Sequence, residues 1–190
     1  MTLIKMIGKV LLCIVFSLIL AGVATWLTIS KQSDSIQNGP WTKEILGESH
    51  SGGMYERVRA FSKWALRPSE AIYFSTTEDS GGKTLSNSCT YRIEGRDPDS
   101  RWWSITPYKS RRLISNSQNR YSFSKTTVTR RADGSWTILL SRREQPENWL
   151  PLSQEDGPLA IFLRCYNPSS QLLENPAEAI LPEIFLEGCQ

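Results

Sequence analysis

Histidine is almost absent from this sequence, since only His50 among 190 residues carries an imidazole. Hydrolysis by a Ser-His-Asp or Cys-His arrangement needs an imidazole to take up and return a proton. Catalytic zinc sites generally use two or three histidines. His50 lies between Ser49 and Ser51, in a polar stretch typical of a solvated loop. We therefore expect no imidazole-based catalysis, no metal site and no cofactor.

Cysteine is also scarce, and no CxxC pair occurs, so a thioredoxin-like redox role has no support. Cys13 lies in an apolar segment, which leaves Cys89, Cys165 and Cys189. In a compartment that permits disulfides, three cysteines can form at most one internal bridge. The sequence leaves open whether Cys165 pairs with Cys189 or Cys89 pairs with either of them.

Charge is missing from residues 10–30, and an apolar run of that length is enough helix to cross a hydrocarbon core of about 30 Å. Lys5 and Lys9 precede the run, and no acidic residue occurs before Asp34. The positive-inside rule therefore predicts a single-pass protein of the inner (cytoplasmic) membrane, with its N-terminus inside and its C-terminal part extracytoplasmic. A cleaved signal peptide is the alternative, but the run exceeds the usual h-region of about 7–15 residues.

Outside the apolar run the charges nearly cancel. The 22 basic residues less Lys5 and Lys9 leave 20, against 19 acidic residues that all follow the run. Nucleic-acid-binding proteins generally carry a basic stripe on one face, so no nucleic-acid partner is expected. The adjacent arginines at 111–112, 130–131 and 142–143 fit solvated strand ends better than a shared anion site.

What the chain does contain is a globular composition, with 39% hydrophobic and 22% charged residues, so the part beyond the apolar run should fold. Its length predicts one domain. The expected organisation is a cytoplasmic N-terminus at 1–9, a transmembrane helix at 10–30, a polar tether at 31–53 and one extracytoplasmic domain at 54–190.

One amphipathic helix is predicted at the start of this domain. Met54, Val58, Phe61 and Ala65 recur at the spacing of one helical face, and Pro68 ends the pattern.

After Pro68 the pattern is that of β-strands. Short β-branched and aromatic runs occur at 71–77, 88–95, 101–108, 125–131, 135–142, 159–166 and 183–188. Asp133-Gly134 between two of them is typical of a tight hairpin turn. The expected fold is all-β, a jelly-roll-like β-sandwich preceded by one amphipathic helix and an N-terminal transmembrane helix.

Seven short motifs then occur in order over the domain. They are YER (55–57), EAIYF (70–74), WSITPY (103–108), NRYS (119–122), ADGS (132–135), NWLP (148–151) and RCYNP (164–168). This series resembles the bacterial domain of unknown function catalogued as family 1214. The resemblance implies a jelly-roll-like β fold, found in longer relatives behind a second β domain, and no established activity. The chain departs from the family at Pro107, in a stretch that is usually unbroken strand, and at Lys109, where aspartate is common.

Two carboxylates are the strongest candidates for catalysis. Glu70 and Glu94 lie next to strand aromatics, and glycoside hydrolysis needs two carboxylates across a cleft. The alternative is that Glu70 caps its strand while Glu94 pairs with Arg92, two residues away on the same face.

The strand at 159–166 has two different faces, because successive side chains point to opposite sides of a strand. One face is wholly apolar and should be core: Leu159, Ile161, Leu163 and Cys165. The other face carries a single charge: Ala160, Phe162, Arg164 and Tyr166. Flanked by two rings, the Arg164 guanidinium could stack on one of them while its donors reach carbonyls or a carboxylate.

Similar side chains recur in one other strand-like segment, in the NRYS motif and in the NWLP loop. Trp102, Ser104, Thr106 and Tyr108 share one side of their strand. The candidate ligand-binding residues are therefore Arg164, Tyr166, Trp149, Trp102, Tyr108 and Arg120. A sheet face of this kind suits a sugar-stacking or anion-clamping site, but it equally suits a structural polar layer. For Trp149 the alternatives are a hydrophobic plug and a ligand platform.

These patterns predict a membrane-anchored envelope protein whose outer domain is a binding or interaction module, with a glycan, an anionic ligand or an envelope protein as partner. Two alternatives are a carboxylate-dependent, glycan-acting or other hydrolase, and a structural envelope protein that assembles through the helix at 54–66. Enzymatic activity is left undecided, with the balance against it.

Overall fold

The computed structural model describes residues 2–29, 35–43, 66–67, 69–110 and 112–189. Helix α1 spans Thr2–Ile29 and contains an apolar segment, Met6–Ala24, of 19 residues that is long enough to cross a membrane by length and composition. Every side chain of this segment is exposed. The amphipathic helix expected at 54–66 and the predicted loop around His50 lie outside the described residues, apart from Leu66.

The remaining described residues form two β-sheets. The first has the order β1-β2-β3-β10-β5-β6, with β7 also pairing with β5, and all its pairs are antiparallel. Its strands are β1 Ile36–Asn38, β2 Trp41–Lys43, β3 Ala71–Thr76, β5 Ser100–Lys109, β6 Arg112–Leu113, β7 Phe123–Ser124 and β10 Leu159–Pro168.

The second sheet has the order β11-β4-β8-β9, in which only the β8–β9 pair is parallel. Its strands are β4 Cys89–Gly95, β8 Trp136–Ser141, β9 Trp149–Pro151 and β11 Glu183–Cys189, and a short helix α2 spans Ser170–Glu174. The protein is thus mostly β with one apolar N-terminal helix, as the sequence predicts; the jelly-roll topology stays a prediction.

The core lies between the two sheets. Leu159, Ile161, Leu163 and Cys165 on β10 are each at most 1% exposed, which confirms the apolar face predicted for this strand. Trp103 on β5 stacks on Trp136 on β8 with ring centroids 4.8 Å apart, joining the sheets. Fully burying a large apolar side chain is worth about 1.5–3 kcal/mol, so this layer dominates the stability of the domain.

A hairpin lies within the stretch expected to be a tether. Strands β1 and β2 turn at Gly39, whose φ is +57°, and β2 pairs with β3. Trp41 is fully buried, and its indole N–H donates to the carbonyl of Pro182 at 2.7 Å. Trp41 is a large aromatic residue in an otherwise polar stretch, and the burial of its ring holds the short hairpin on the sheet.

The prediction of a strand at 125–131 is wrong, although the predicted turn at Asp133-Gly134 forms, with Gly134 at φ +81°. Residues 125–128 form a turn instead, in which the backbone N–H of Ser124 donates to Thr127 Oγ1 at 2.9 Å. The Asn148 side chain bonds both backbone groups of Thr129 at 2.8 Å. Side chains thus satisfy backbone groups that a partner strand would otherwise take.

One of the disulfide pairings left open by the sequence is present, between Cys89 and Cys189 at the ends of β4 and β11. Cys165 is a free thiol, and burial raises its pKa to about 12. Cys165 is therefore a core side chain rather than a nucleophile.

Strand β5 continues through Pro107, although the departure from the family at this position suggested an interruption of the strand. It pairs with Ile161 on β10, and on the other side β5 pairs with β7 at Ile105 and with β6 at Tyr108. Pro107 falls in the gap between those two short partners, where a strand tolerates a residue without an N–H group.

Candidate functional site

The candidate site lies on the outer face of the first sheet, where β10 runs between β3 and β5. The register places Arg164 opposite Tyr73 on β3 and opposite Ser104 on β5. The same pairing sets Tyr166 opposite Trp102. Because side chains of paired residues share one face of a sheet, residues far apart in sequence converge around a single cation.

We call this surface the Arg164 face and define it by Tyr73, Trp102, Tyr108, Phe162, Arg164 and Tyr166. All six side chains are partly exposed, so the surface is neither core nor freely solvated.

Arg164 is held by hydroxyl groups and rings. Its Nη1 donates to Thr106 Oγ1 at 3.2 Å and its Nη2 donates to Tyr108 Oη at 2.8 Å. The guanidinium carbon lies 5.6 Å from the ring centroids of both Tyr108 and Phe162. Cation–π contact therefore fixes the guanidinium plane while the hydroxyls fix its direction.

No carboxylate neutralises Arg164 within the described part of the chain. Arg130, by contrast, donates to Asp97 at 2.9 Å, and Arg92 lies 2.5 Å from Glu94. Arginine stays protonated at any ordinary pH, and two of its five N–H groups are used here. The site thus presents a half-buried positive charge. The remaining N–H groups of the Arg164 guanidinium have no acceptor among the described residues.

The aromatic side chains form two pairs on either side of this charge. Trp102 and Tyr166 have centroids 5.4 Å apart with their planes tilted by 57°, and Tyr108 and Phe162 meet edge to face at 5.1 Å. Aromatic faces that are partly exposed bind the apolar faces of sugars and other rings.

Tyr73 completes the surface as a neutral phenol. Burial, followed by the neighbouring Tyr166, raises the pKa of Tyr73, while a hydrogen bond to the Leu66 backbone and the charge of Arg164 lower it by less. The phenol therefore keeps its proton at neutral pH and can act as a hydrogen-bond donor.

The six predicted site residues do not all lie on one surface. Four of them, Trp102, Tyr108, Arg164 and Tyr166, share the Arg164 face. The Arg120 side chain is exposed on the loop after β6, with its guanidinium carbon 4.9 Å from the Phe123 ring centroid. Trp149 lies on the other sheet.

Trp149 belongs to the NWLP segment at the start of β9. Asn148 takes a positive φ of 43° and donates to the carbonyls of Thr129 and Thr137, so it bridges backbone groups. The indole N–H of Trp149 donates to the Ser141 carbonyl at 3.0 Å. The ring is partly exposed and lines a groove of about 850 Å³.

Each of the two candidate carboxylates has a partner within its own element or turn. Glu70 accepts from the backbone N–H of Arg67 at 3.2 Å in the turn before β3. Glu94 lies on β4 in the second sheet and pairs with Arg92. Both contacts are those of the structural alternative, in which Glu70 caps its strand and Glu94 pairs with Arg92.

Three residues of the site were not among the six predicted site residues. Phe162 shares the outer face of β10 with Arg164, whereas Tyr73 and Thr106 join it only because β10 pairs with β3 and β5 at once. Alternation within β3 would have placed Tyr73 on a face, but the sequence does not say which strand lies beside it.

The fold and site define a two-sheet β domain with a polar and aromatic outer face, preceded in the chain by an apolar helix. Residues 70–170 match the family model described as protein of unknown function DUF1214. The chain therefore belongs to the DUF1214 family, as its motifs predict.

Among solved structures, the chain is similar to the VPA0106 protein of Vibrio parahaemolyticus, at 28% identity and a TM-score of 0.60, covering 70% of this chain and 34% of that one. An uncharacterised protein from Burkholderia cenocepacia matches at 15% identity and a TM-score of 0.41, covering 62% and 29%. This chain thus spans about a third of the length of the solved structures it matches. No curated protein matches it.

Proposed function

We propose that the β domain is a binding module for an acidic glycan, held at the outer surface of the cytoplasmic membrane by α1. The observation that carries the proposal is the Arg164 guanidinium, set between the rings of Tyr108 and Phe162 and bonded to hydroxyls instead of a carboxylate. A half-buried cation without a described counter-ion is best neutralised by an anionic ligand.

The chemistry of the surrounding side chains supports a sugar acid in particular. The planar fork of Arg164 suits two parallel hydrogen bonds to a carboxylate. The Trp102–Tyr166 pair lies one register step along the strands, where it can stack on the apolar face of an adjoining sugar ring. The hydroxyls of Tyr73 and Tyr108 can bond sugar hydroxyls.

The anchor and the topology belong to the same proposal. An apolar helix preceded by lysines and followed by a disulfide-containing domain fits a single span with the N-terminus inside. A jelly-roll connection of the strands fits a two-sheet β domain with a long central pair such as β5–β10.

The test is calorimetric titration of the full chain in detergent micelles with trigalacturonate, using the methyl-esterified trisaccharide as the neutral ligand. We expect binding of the acid, weaker binding of the ester, and a loss of at least tenfold in affinity for Arg164→Met. Arg96→Met is the matched control, because Arg96 follows β4, is 60% exposed and is paired with Asp133 in the turn before β8.

Equal affinity of the acid and the ester would overturn the proposal, as would an Arg164→Met variant that melts with the wild type and binds equally well. Conversion of the trisaccharide into shorter products would instead favour the hydrolase alternative.

A further inference from the structure

A second surface, distinct from the Arg164 face, lies where the edges of the two sheets meet. The groove of about 850 Å³ is lined on one side by residues 109–110 and 112–117, which include β6, and on the other by 149 and 151–155, which include most of β9. Arg142 also lines it. We call it the edge groove.

Two cations of the edge groove are well buried, but their acidic partners are not. The side chains of Lys109 and Arg142 are 18% and 12% exposed, whereas those of Glu155 and Asp156 are 87% and 80% exposed. Lys109 Nζ lies 2.8 Å from Glu155 Oε2, and Arg142 Nη2 lies 2.6 Å from Asp156 Oδ1. The cations are thus fixed parts of the fold, and the acids reach them from solvent.

The loop that carries these acids is held by its backbone. Asn87 Nδ2 donates to the carbonyls of Ser153 and Glu155, each at 2.7 Å, and the Asn87 N–H donates to the Gly157 carbonyl at 2.9 Å. Arg142 Nε donates to the Asn87 carbonyl at 3.1 Å, so it keeps its place without Asp156. The acidic side chains can therefore leave the cations while the loop backbone stays in position.

Each wall of the groove includes one short strand that is paired on one side. Strand β6 pairs only with β5, and β9 pairs only with β8, among the strands of the described residues. An open edge offers backbone donors and acceptors to an added extended chain. Leu113 on β6 is 52% exposed and Trp149 on β9 is partly exposed, which gives an entering chain apolar contacts.

We propose that the edge groove binds an extended acidic segment of a partner polypeptide, whose carboxylates replace those of Glu155 and Asp156 on Lys109 and Arg142. Charge complementarity and the open edges both favour a peptide, because the resident occupants are consecutive acids of a peptide loop and a free anion cannot use the strand edges. Binding is then an exchange in which the loop acids compete with the partner.

The experiment measures fluorescence anisotropy of a labelled (Val-Glu)4 peptide with the full chain in detergent micelles. Glu155→Gln/Asp156→Asn removes the internal competitor and should tighten peptide binding roughly fivefold, since two exposed ion pairs are lost. Glu174→Gln/Glu178→Gln makes the same change in net charge on exposed side chains outside the groove and should leave affinity nearly unchanged.

Lys109→Gln and Arg142→Gln should each weaken binding at least fivefold. The gain expected from the loop variant keeps the test decisive even if Arg142→Gln does not fold. The neutral (Val-Gln)4 peptide should bind weakly, and inorganic pyrophosphate should not compete at concentrations comparable with those of the peptide.

Three results would overturn the proposal. The first is no peptide binding by either the wild type or the loop variant. The second is equal tightening by the control pair, which would assign the effect to net charge. The third is loss of peptide binding in Arg164→Met but not in Lys109→Gln, which would move the ligand to the Arg164 face.

Discussion

The Arg164 face and the edge groove both contain cations, yet they differ in what neutralises those cations. Arg164 contacts two hydroxyls and two rings and, within the described residues, no carboxylate. Lys109 and Arg142 in the groove are each paired with an acid of one surface loop. The first surface is therefore open to an anion, whereas the second can take one only by exchange.

The two surfaces also differ in how the fold supports them. Five of the six residues of the Arg164 face lie on β5 and β10, the longest strands of the described residues, over fully buried side chains. The edge groove lies between strands of two and three residues. A mutation beneath the first should disturb the whole domain, while one in the second should act locally.

The largest expected effect is therefore that of Leu163→Ala. Leu163 is 0% exposed and lies on β10 directly beneath the Arg164 face, so its truncation should lower the free energy of unfolding by about 3 kcal/mol. Leu113→Ala on β6, which is 52% exposed, should change it by less than about 0.5 kcal/mol. Urea denaturation followed by circular dichroism measures both changes. Similar losses of stability in the two variants would contradict the expected difference in how the fold supports the two surfaces.

Arg164→Lys comes next, because it keeps the charge but loses the planar fork. We expect the affinity for trigalacturonate to fall about tenfold with little change in melting temperature. At Lys109 the reverse exchange, Lys109→Arg, should retain peptide binding, since a charge at that position meets an acid through a single contact. Unchanged trigalacturonate affinity in Arg164→Lys would show that the surface uses only charge.

Tyr108→Phe should have a smaller effect. It keeps the ring that stacks on Arg164 and removes the oxygen that accepts from Nη2 at 2.8 Å, which should cost about 1 kcal/mol in glycan binding. Tyr121→Phe, on an exposed ring outside the site, is the control. A loss as large as that of Arg164→Met would mean that the phenol contributes as much to binding as the Arg164 guanidinium, against the account.

The smallest effect concerns the ionisation of Glu155. A hydrogen bond and the charge from Lys109 lower the pKa of Glu155, so Lys109→Met should raise this pKa toward its ordinary value. The sign follows from linkage. The pair contributes stability above the ordinary carboxyl pKa and loses that contribution as the pH falls through the lowered one. Carboxyl carbon NMR follows the titration. Lys125→Met removes a lysine whose described acidic partner is Asp97, and it should leave the pKa of Glu155 unchanged.

Much of the fold could be predicted because alternation in a strand is a strictly local property. Leu159 and Leu163 point inward, and Arg164 points outward, for the same reason of period two. At 125–131 the local pattern predicted a strand that does not form, because the side chains of Thr127 and Asn148 bond the backbone groups there. The hairpin around Trp41 was not predicted, because strands of three residues are too short for an alternating pattern of side chains to be recognised.

The candidate site could be predicted only in part, because strand pairing is not local. Arg164 and Tyr166 share one strand, and Trp102 and Tyr108 share another, so alternation alone placed each pair correctly on a face. That the two strands are neighbours, and that β3 adds Tyr73, depends on register set by the whole domain. Trp149 was grouped with them by residue type, although it lies on the other sheet.

The central claim is that the Arg164 guanidinium holds a carboxylate of the ligand. The most direct measurement is the Nε–Hε resonance of Arg164 during titration with trigalacturonate, followed by 15N NMR and assigned with Arg164→Met. We predict that this resonance shifts and saturates at the affinity found by calorimetry, and that the methyl ester leaves it in place. A resonance that stays fixed while trigalacturonate binds would contradict the account.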